Sequence, residues 1–189
     1  KVNEHTTLTQ EEFTRVLMEF DTRISNLKRA YGSGQGQRRR SLQLLVNCRD
    51  MSVVSFFTAM RLGEVAHTTW HDINWDDQTI SVTAKDNWSP KTRESIREIP
   101  VESPIFWEVI NRRYKKYKQS FTRTYTVRNS QGEERLMTSP TYREVSLYIF
   151  ERGYNKDYVS HKFKEIIRTC FGEEDSRHFH SLRHSAISI

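Results

Sequence analysis

Near the end of the chain, His180-Ser181-Leu182-Arg183-His184 sets an arginine and two histidines three and four residues apart. On a helix that spacing puts all three side chains on one face, with Leu182 and Ile189 free to face inward. A second arginine, Arg61, interrupts a mostly apolar run, Phe56-Phe57-Thr58-Ala59-Met60-Arg61-Leu62-Gly63-Glu64-Val65. A guanidinium there is costly to desolvate unless it meets an anion, and Glu64, three residues on, can hold it in place. Two arginines far apart in sequence, each in apolar surroundings, point to one shared anion. A phosphodiester under attack gathers charge on its non-bridging oxygens, and two planar guanidinium forks stabilise that state more than the ground state. Departure of a 5′-oxygen also needs a proton, which a lysine on a loop can give. Two blander accounts stand beside this one. His180 and His184 are spaced to bind a metal with Glu173, Glu174 or Asp175, or they are a stray pair on a surface helix.

The elements that must position these residues are legible from periodicity. Thr9 caps a helix with Glu12 completing a capping box, and Phe13, Val16, Leu17, Phe20, Ile24 and Leu27 then form one apolar stripe. Residues 31–40 carry three glycines and then Arg38, Arg39 and Arg40, which reads as a flexible connection ending in a basic cluster, either solvated or touching backbone phosphates. Residues 42–59 lack Gly and Pro and read as a buried helix leading straight to Arg61. Beyond Trp70-His71-Asp72-Ile73-Asn74-Trp75, residues 79–84 alternate with period two as a strand, with residues 95–101 as its antiparallel partner. The long loop between them, 85–94, holds Lys85 at its base and Lys91 near its tip.

Ser103-Pro104 then starts a helix continued by Ile105, Phe106, Val109, Ile110 and Tyr117. Residues 112–128 hold seven basic and no acidic side chains with interleaved aromatics, among them Arg112, Arg113, Lys115, Lys116 and Lys118. Such a stretch is a solvated basic face or a phosphate-contacting surface. Residues 129–132 read as a turn between two extended pieces, 141–150 as strand or helix, 157–170 as a helix through Tyr158, Phe163, Ile166 and Ile167, and 179–189 as a last, partly helical segment. Helices, a small hairpin and more helices make an α+β fold that is mainly α.

At 189 residues the chain has room for one sizeable domain. Its 30 basic against 24 acidic residues, a formal charge of +6, favour a polyanionic partner only slightly. Two cysteines, Cys48 and Cys170, are too far apart for a metal or redox motif, so a reducing, cytoplasmic setting is the expectation. Nothing approaches the roughly 18 to 20 apolar residues of a membrane span, and no apolar signal-peptide core follows Lys1-Val2-Asn3-Glu4.

Four patches in succession, Ala59-Met60-Arg61-Leu62-Gly63-Glu64-Val65, Trp70-His71-Asp72-Ile73, Pro90-Lys91-Thr92 with Arg97-Glu98-Ile99-Pro100, and His180-Ser181-Leu182-Arg183-His184, resemble the catalytic domain of a tyrosine recombinase of the phage-integrase family. That resemblance implies the DNA breaking-rejoining fold, mainly helical with a small antiparallel sheet. It implies strand transfer on duplex DNA through a 3′-phosphotyrosine link, with no metal and no small-molecule cofactor, and self-association on DNA. By position Arg61 and Arg183 are the clamp arginines, Glu64 the buttressing acid, Lys91 the hairpin lysine with Lys85 as its rival, His180 the catalytic histidine and His184 a structural companion. The family's nucleophilic tyrosine comes roughly thirty residues after the second arginine, and none of the eight tyrosines here follows Arg183. The expectation is therefore a catalytic domain over residues 1–189, without the nucleophile and without the family's N-terminal core-binding domain. A non-catalytic DNA-binding relative and a type IB topoisomerase are the alternatives.

Overall fold

The computed structural model describes residues 7–31, 36–86, 88–119, 122–128, 134–140, 147–150 and 156–186. Helix α1 (Gln10–Tyr31) begins with the expected box: Thr9 N–H donates to Glu12 Oε2 at 2.9 Å and Glu12 N–H to Thr9 Oγ1 at 3.2 Å. Its stripe of Phe13, Val16, Leu17, Phe20 and Ile24 is buried, with Leu27 at its edge. Helix α2 (Gly36–Thr58) supplies the opposing surface, and Phe13 stacks on Phe56 with ring centroids 3.9 Å apart.

The connection between these helices differs from its sequence reading. Helix α1 continues to Tyr31 and α2 starts at Gly36, so Arg38, Arg39 and Arg40 belong to the first turns of α2 and not to a loop. Arginine and glutamine are good helix formers, and a glycine at the very start of a helix costs little, so the basic cluster follows the helix behind it. Arg40 is exposed; the side chains of Arg38 and Arg39 lie outside the described residues.

After α2 the chain turns through Ala59 at φ +53°, a left-handed conformation that a residue with a Cβ adopts only under strain. Thr58 and Ser55 hold the turn: Thr58 Oγ1 accepts Met60 N–H at 3.3 Å, and Ser55 Oγ donates to Met60 O at 2.8 Å. The short helix α3 (Leu62–Ala66) follows. A 3-10 turn, Trp70–Asp72, then leads to a three-stranded antiparallel sheet of β1 (Ile73–Asn74), β2 (Thr79–Val82) and β3 (Arg97–Pro100) in sequence order. The expected hairpin is thus β2 with β3, in register Ile80 to Ile99 and Val82 to Arg97. Strand β1 was not foreseen, because two residues carry no alternation to read.

Helix α4 (Pro104–Gln119) packs Phe106, Val109 and Ile110 inward, with Ser103 Oγ accepting Phe106 N–H at 3.3 Å; Ile105, expected with them, is 36% exposed. The two extended pieces beyond it pair antiparallel as β4 (Thr122–Arg128) and β5 (Glu134–Pro140), while the expected turn at 129–132 lies outside the described residues. Of the ambiguous stretch 141–150 only its last four residues are described; Tyr148 bridges Thr69 as extended chain. Helix α5 (Lys156–Phe171) buries Val159, Phe163, Ile166 and Ile167, and α6 (Ser181–Ala186) closes the core with Leu182. Among the described residues no helix is long and apolar enough to cross a membrane.

The stretch before α6 is fastened to the start of α1. Arg177, 8% exposed, donates to Asp175 at 2.7 Å, to Glu12 at 2.8 Å and to the carbonyl of Thr7 at 3.1 Å, and it lies over the Phe171 ring. Leu8 N–H donates to Ser185 Oγ at 2.7 Å. Helices α1 and α6 therefore share polar anchors as well as core.

Candidate active site

Arg61 stands at the N-cap of α3, in extended backbone conformation. Its own N–H donates to Glu64 Oε2 at 3.0 Å and its Nη1 to Glu64 Oε1 at 2.9 Å, so the acid grips both ends of the residue. Glu64 is 3% exposed and also receives Arg97 Nη2 at 3.1 Å. Burial pushes the Glu64 carboxyl up, but hydrogen bonds from the Arg61 backbone, Arg97 and the Arg61 side chain outweigh it and hold the group below its ordinary value. That acid is ionised at neutral pH, as a buttress for two arginines must be.

His180 and Arg183 come to the same place from the other end of the chain. The expectation that His180 lies on the helix is corrected: α6 starts at Ser181, and His180 occupies the turn before it. Arg183 N–H still donates to the His180 carbonyl at 3.1 Å, so the three-residue spacing keeps the two side chains together. A cavity of about 130 Å³ is lined by Ser55, Met60, Arg61, Leu62, Ser160, His178, Phe179, His180 and Arg183. Two residues 122 positions apart in sequence, Arg61 and Arg183, thus share one space.

Arg183 Nη1 is buried with no hydrogen-bond partner. Buried donors in native proteins nearly always have one, and an orphaned guanidinium nitrogen calls for an anionic oxygen. Burial first, and then the charge of Arg61, disfavour the Arg183 cation; Glu64 pulls the other way, and Arg97 adds a smaller push, so the net shift is downward. For His180, partial burial acts first, followed by His184, Arg183, His178 and Arg61, all lowering its pKa below 6.5. The imidazole is therefore neutral at pH 7. We expect its NMR titration midpoint below 6.5, moving upward in Arg61→Ala and in His184→Ala; a midpoint above 6.5 in the wild-type chain would contradict this electrostatic picture. Because the folded-state value is depressed, this group's contribution to stability is present above the unfolded value and is lost as pH falls through the folded one.

His184 is exposed and meets the His180 ring edge-on at 5.1 Å. Among the described residues, no group of three or more His, Cys, Asp or Glu side chains is arranged to hold a metal ion.

The two lysines have different surroundings. Lys85 Nζ donates to Asp72 Oδ1 at 2.5 Å and to Thr83 Oγ1. Asp72 is itself buried, and it also receives Thr69 N–H, Thr69 Oγ1 and Thr83 Oγ1, so Lys85 completes a structural node. Lys91 is exposed, beside Thr92, whose hydroxyl lies 3.1 Å from Ser95 Oγ. Ser95 Oγ accepts Arg61 Nη1 at 3.2 Å. Lys91 does not line the cavity, but its neighbours reach the residue that does.

The basic helix α4 divides in two. Arg113, with a side chain 11% exposed, turns inward to Asp50 at 2.7 Å, Asn47 at 2.8 Å and the Ile149 carbonyl at 3.3 Å, over the Phe150 ring. Arg112 also reaches Asp50, at 2.6 Å. The expected phosphate contact is thereby replaced at Arg113 by a buried ion pair. Lys115 and Lys118 lie further along, and Lys116 Nζ approaches Gln43 Oε1 at 3.3 Å, which brings the end of α4 beside the first turns of α2.

Sequence reasoning missed Ser55, Ser160 and His178 at the cavity and Ser95 and Arg97 behind Arg61. Arg97 belonged to a recognised patch, yet nothing local says which side chain it will meet.

Comparison with known proteins bears on the family and the fold. The profile described as the Phage integrase family matches residues 44–189. No curated protein sequence matches the chain. Among solved structures it is similar to XerA recombinase, at a TM-score of 0.56 and 10% identity over 98% of this chain and 49% of that one. XerH site-specific recombinase bound to difH substrate in a pre-cleavage complex gives 0.54 and 15%, over 96% and 41%. The Tn1549 transposon integrase in complex with transposon right end DNA gives 0.54 and 15%, over 98% and 53%. The chain spans about half the length of these proteins, and at such identities they show the fold.

Proposed function

Since the chain belongs to the phage integrase family, we propose that it is the catalytic domain of a site-specific DNA recombinase or integrase acting on duplex DNA in the cytoplasm. One observation carries the reading: Arg183 has a buried, partnerless Nη1 in a cavity it shares with Arg61 and His180. That is a site built for an oxyanion held from two sides.

In the proposed reaction a tyrosine oxygen attacks the scissile phosphorus, forming an O–P bond as the bond to the 5′-oxygen breaks. Arg61 and Arg183 bind the non-bridging oxygens. The neutral His180 imidazole hydrogen-bonds the phosphate or takes the attacking group's proton. Lys91 protonates the departing 5′-oxygen. A second strand's 5′-hydroxyl then reverses the step, so the bond energy is conserved in the 3′-phosphotyrosine and no nucleotide cofactor is consumed. Among the described residues no tyrosine lines this cavity, and we assign the nucleophile to a tyrosine that follows Arg183 in the protein. DNA backbone contacts fall to Arg38, Arg39 and Arg40 with Lys115, Lys116 and Lys118, and copies of the protein associate on DNA.

The sharpest test of the roles compares two lysines. In single-turnover cleavage of a nicked suicide substrate by the protein carrying the tyrosine, Lys91→Ala should lose at least about 10²-fold in rate. Lys85→Ala should keep most of the rate and lower thermal stability, since it takes the lysine counter-charge from the buried Asp72. Loss of cleavage in Lys85→Ala alone would reverse the assignment. A gene with no tyrosine downstream of Arg183 would make the protein a DNA-binding module instead.

A further inference from the structure

We infer that Arg97 is a positioning residue that fixes the Arg61 guanidinium and ties it to the loop carrying Lys91; the inference rests on the reading of Arg61 as a phosphate ligand. Four hydrogen bonds close a ring. Arg97 Nη2 donates to Glu64 Oε2 at 3.1 Å, Arg61 Nη1 donates to Glu64 Oε1 at 2.9 Å and to Ser95 Oγ at 3.2 Å, and Arg97 Nη1 donates to the Ser95 carbonyl at 2.8 Å. Every member is fixed by two others. Glu64 and Ser95 are buried, at 3% and 7% exposure, so water does not readily replace a broken link.

The ring explains how the residue capping a five-residue helix, following a strained turn, can hold a guanidinium steady. One nitrogen of Arg61, Nη1, is shared between Glu64 and Ser95, which sets the plane of the group. Glu64 could not do this alone, since its Oε2 also serves the Arg61 backbone N–H. Arg97 braces that oxygen and, through its other fork nitrogen, braces the 3-10 turn Arg93–Ser95 that presents the serine. From Ser95 the contact continues to Thr92 Oγ1 at 3.1 Å, one residue from Lys91. A displacement of the Arg61 guanidinium toward a bound phosphate is thereby transmitted to the loop bearing the proposed proton donor.

The chemistry demands arginine at position 97. Two donors must diverge from one planar group, one to a carboxylate on α3 and one to a carbonyl on the loop. A lysine ammonium restores the charge but not the fork.

The test uses the 189-residue chain without ligand. NMR measures rotation of the Arg61 guanidinium about its Nε–Cζ bond, with the signals assigned by their loss in Arg61→Ala. Rotation should quicken about tenfold in Arg97→Gln and equally in Arg97→Lys, as expected for the loss of one net hydrogen bond. Rotation in Arg97→Lys at the wild-type rate would overturn the inference, because charge alone would then suffice. Ser95→Ala opens the ring on its other side and should give the same acceleration even if an Arg97 variant fails to fold; an unchanged rate there overturns the inference too. Inorganic phosphate is then titrated against the His180 imidazole signals. Absence of a saturable shift in the wild-type chain would sink the phosphate reading, whereas the rotation rates decide the positioning role by themselves.

Discussion

Arg183→Ala should lower strand cleavage on the order of 10²- to 10³-fold while leaving the fold as stable as before, or more so. The two effects have one cause. In the ligand-free protein Arg183 keeps a buried nitrogen without a partner and sits within range of two like charges, Arg61 and Arg97. Removing it relieves that repulsion and an unmade hydrogen bond, whose penalty is about 1 to 3 kcal/mol, against the packing lost with its aliphatic stem. The free energy of urea unfolding should therefore stay at the wild-type value or rise. A structural arginine would behave in the opposite way, costing stability with little effect on rate. A residue that the fold tolerates at a loss is one retained for its ligand.

The second large effect is on stability. Asp50→Ala should destabilise the chain by about 3 to 5 kcal/mol, the range for removing one partner of a buried ion pair. Asp50 is fully buried and receives Arg112 and Arg113 from α4, with Arg49 at 3.5 Å. Without it the largely buried Arg113 guanidinium loses the carboxylate that balances its charge, while Asn47, the Ile149 carbonyl and the Phe150 ring remain beside it. A loss below about 1 kcal/mol in urea unfolding would mean that this pair behaves like a solvated surface bridge. The Arg112 and Arg113 side chains would then be available to DNA after all.

How far the sequence could be read depended on how local each cause was. The capping box at Thr9 and Glu12, the stripe on α1 and the alternation in β2 are set by neighbours within a few residues, and each formed as expected. Arg61 and Glu64 were legible for the same reason, being one turn apart. The joint site of Arg61 with Arg183 was inferred from the cost of burying two cations, a physical constraint that does not depend on distance along the chain. Three glycines outweighed helix-forming arginines in the reading of residues 31–40, yet α2 starts at Gly36 and carries all three arginines. Arg113 and Lys115 look alike in a basic run; only the approach of Asp50, 63 residues from Arg113, separates a cation held in the core from one at the surface. Arg97 was invisible as a brace because its role needs strand β3, helix α3 and the 3-10 turn to meet.

The most direct measurement is a structure of this chain bound to duplex DNA. A single backbone phosphate should occupy the cavity, with its non-bridging oxygens within about 2.7 to 2.9 Å of both the Arg61 and the Arg183 guanidinium groups, and with the buried Nη1 of Arg183 among the donors. Duplex DNA bound with no phosphate between these two arginines would contradict this assignment.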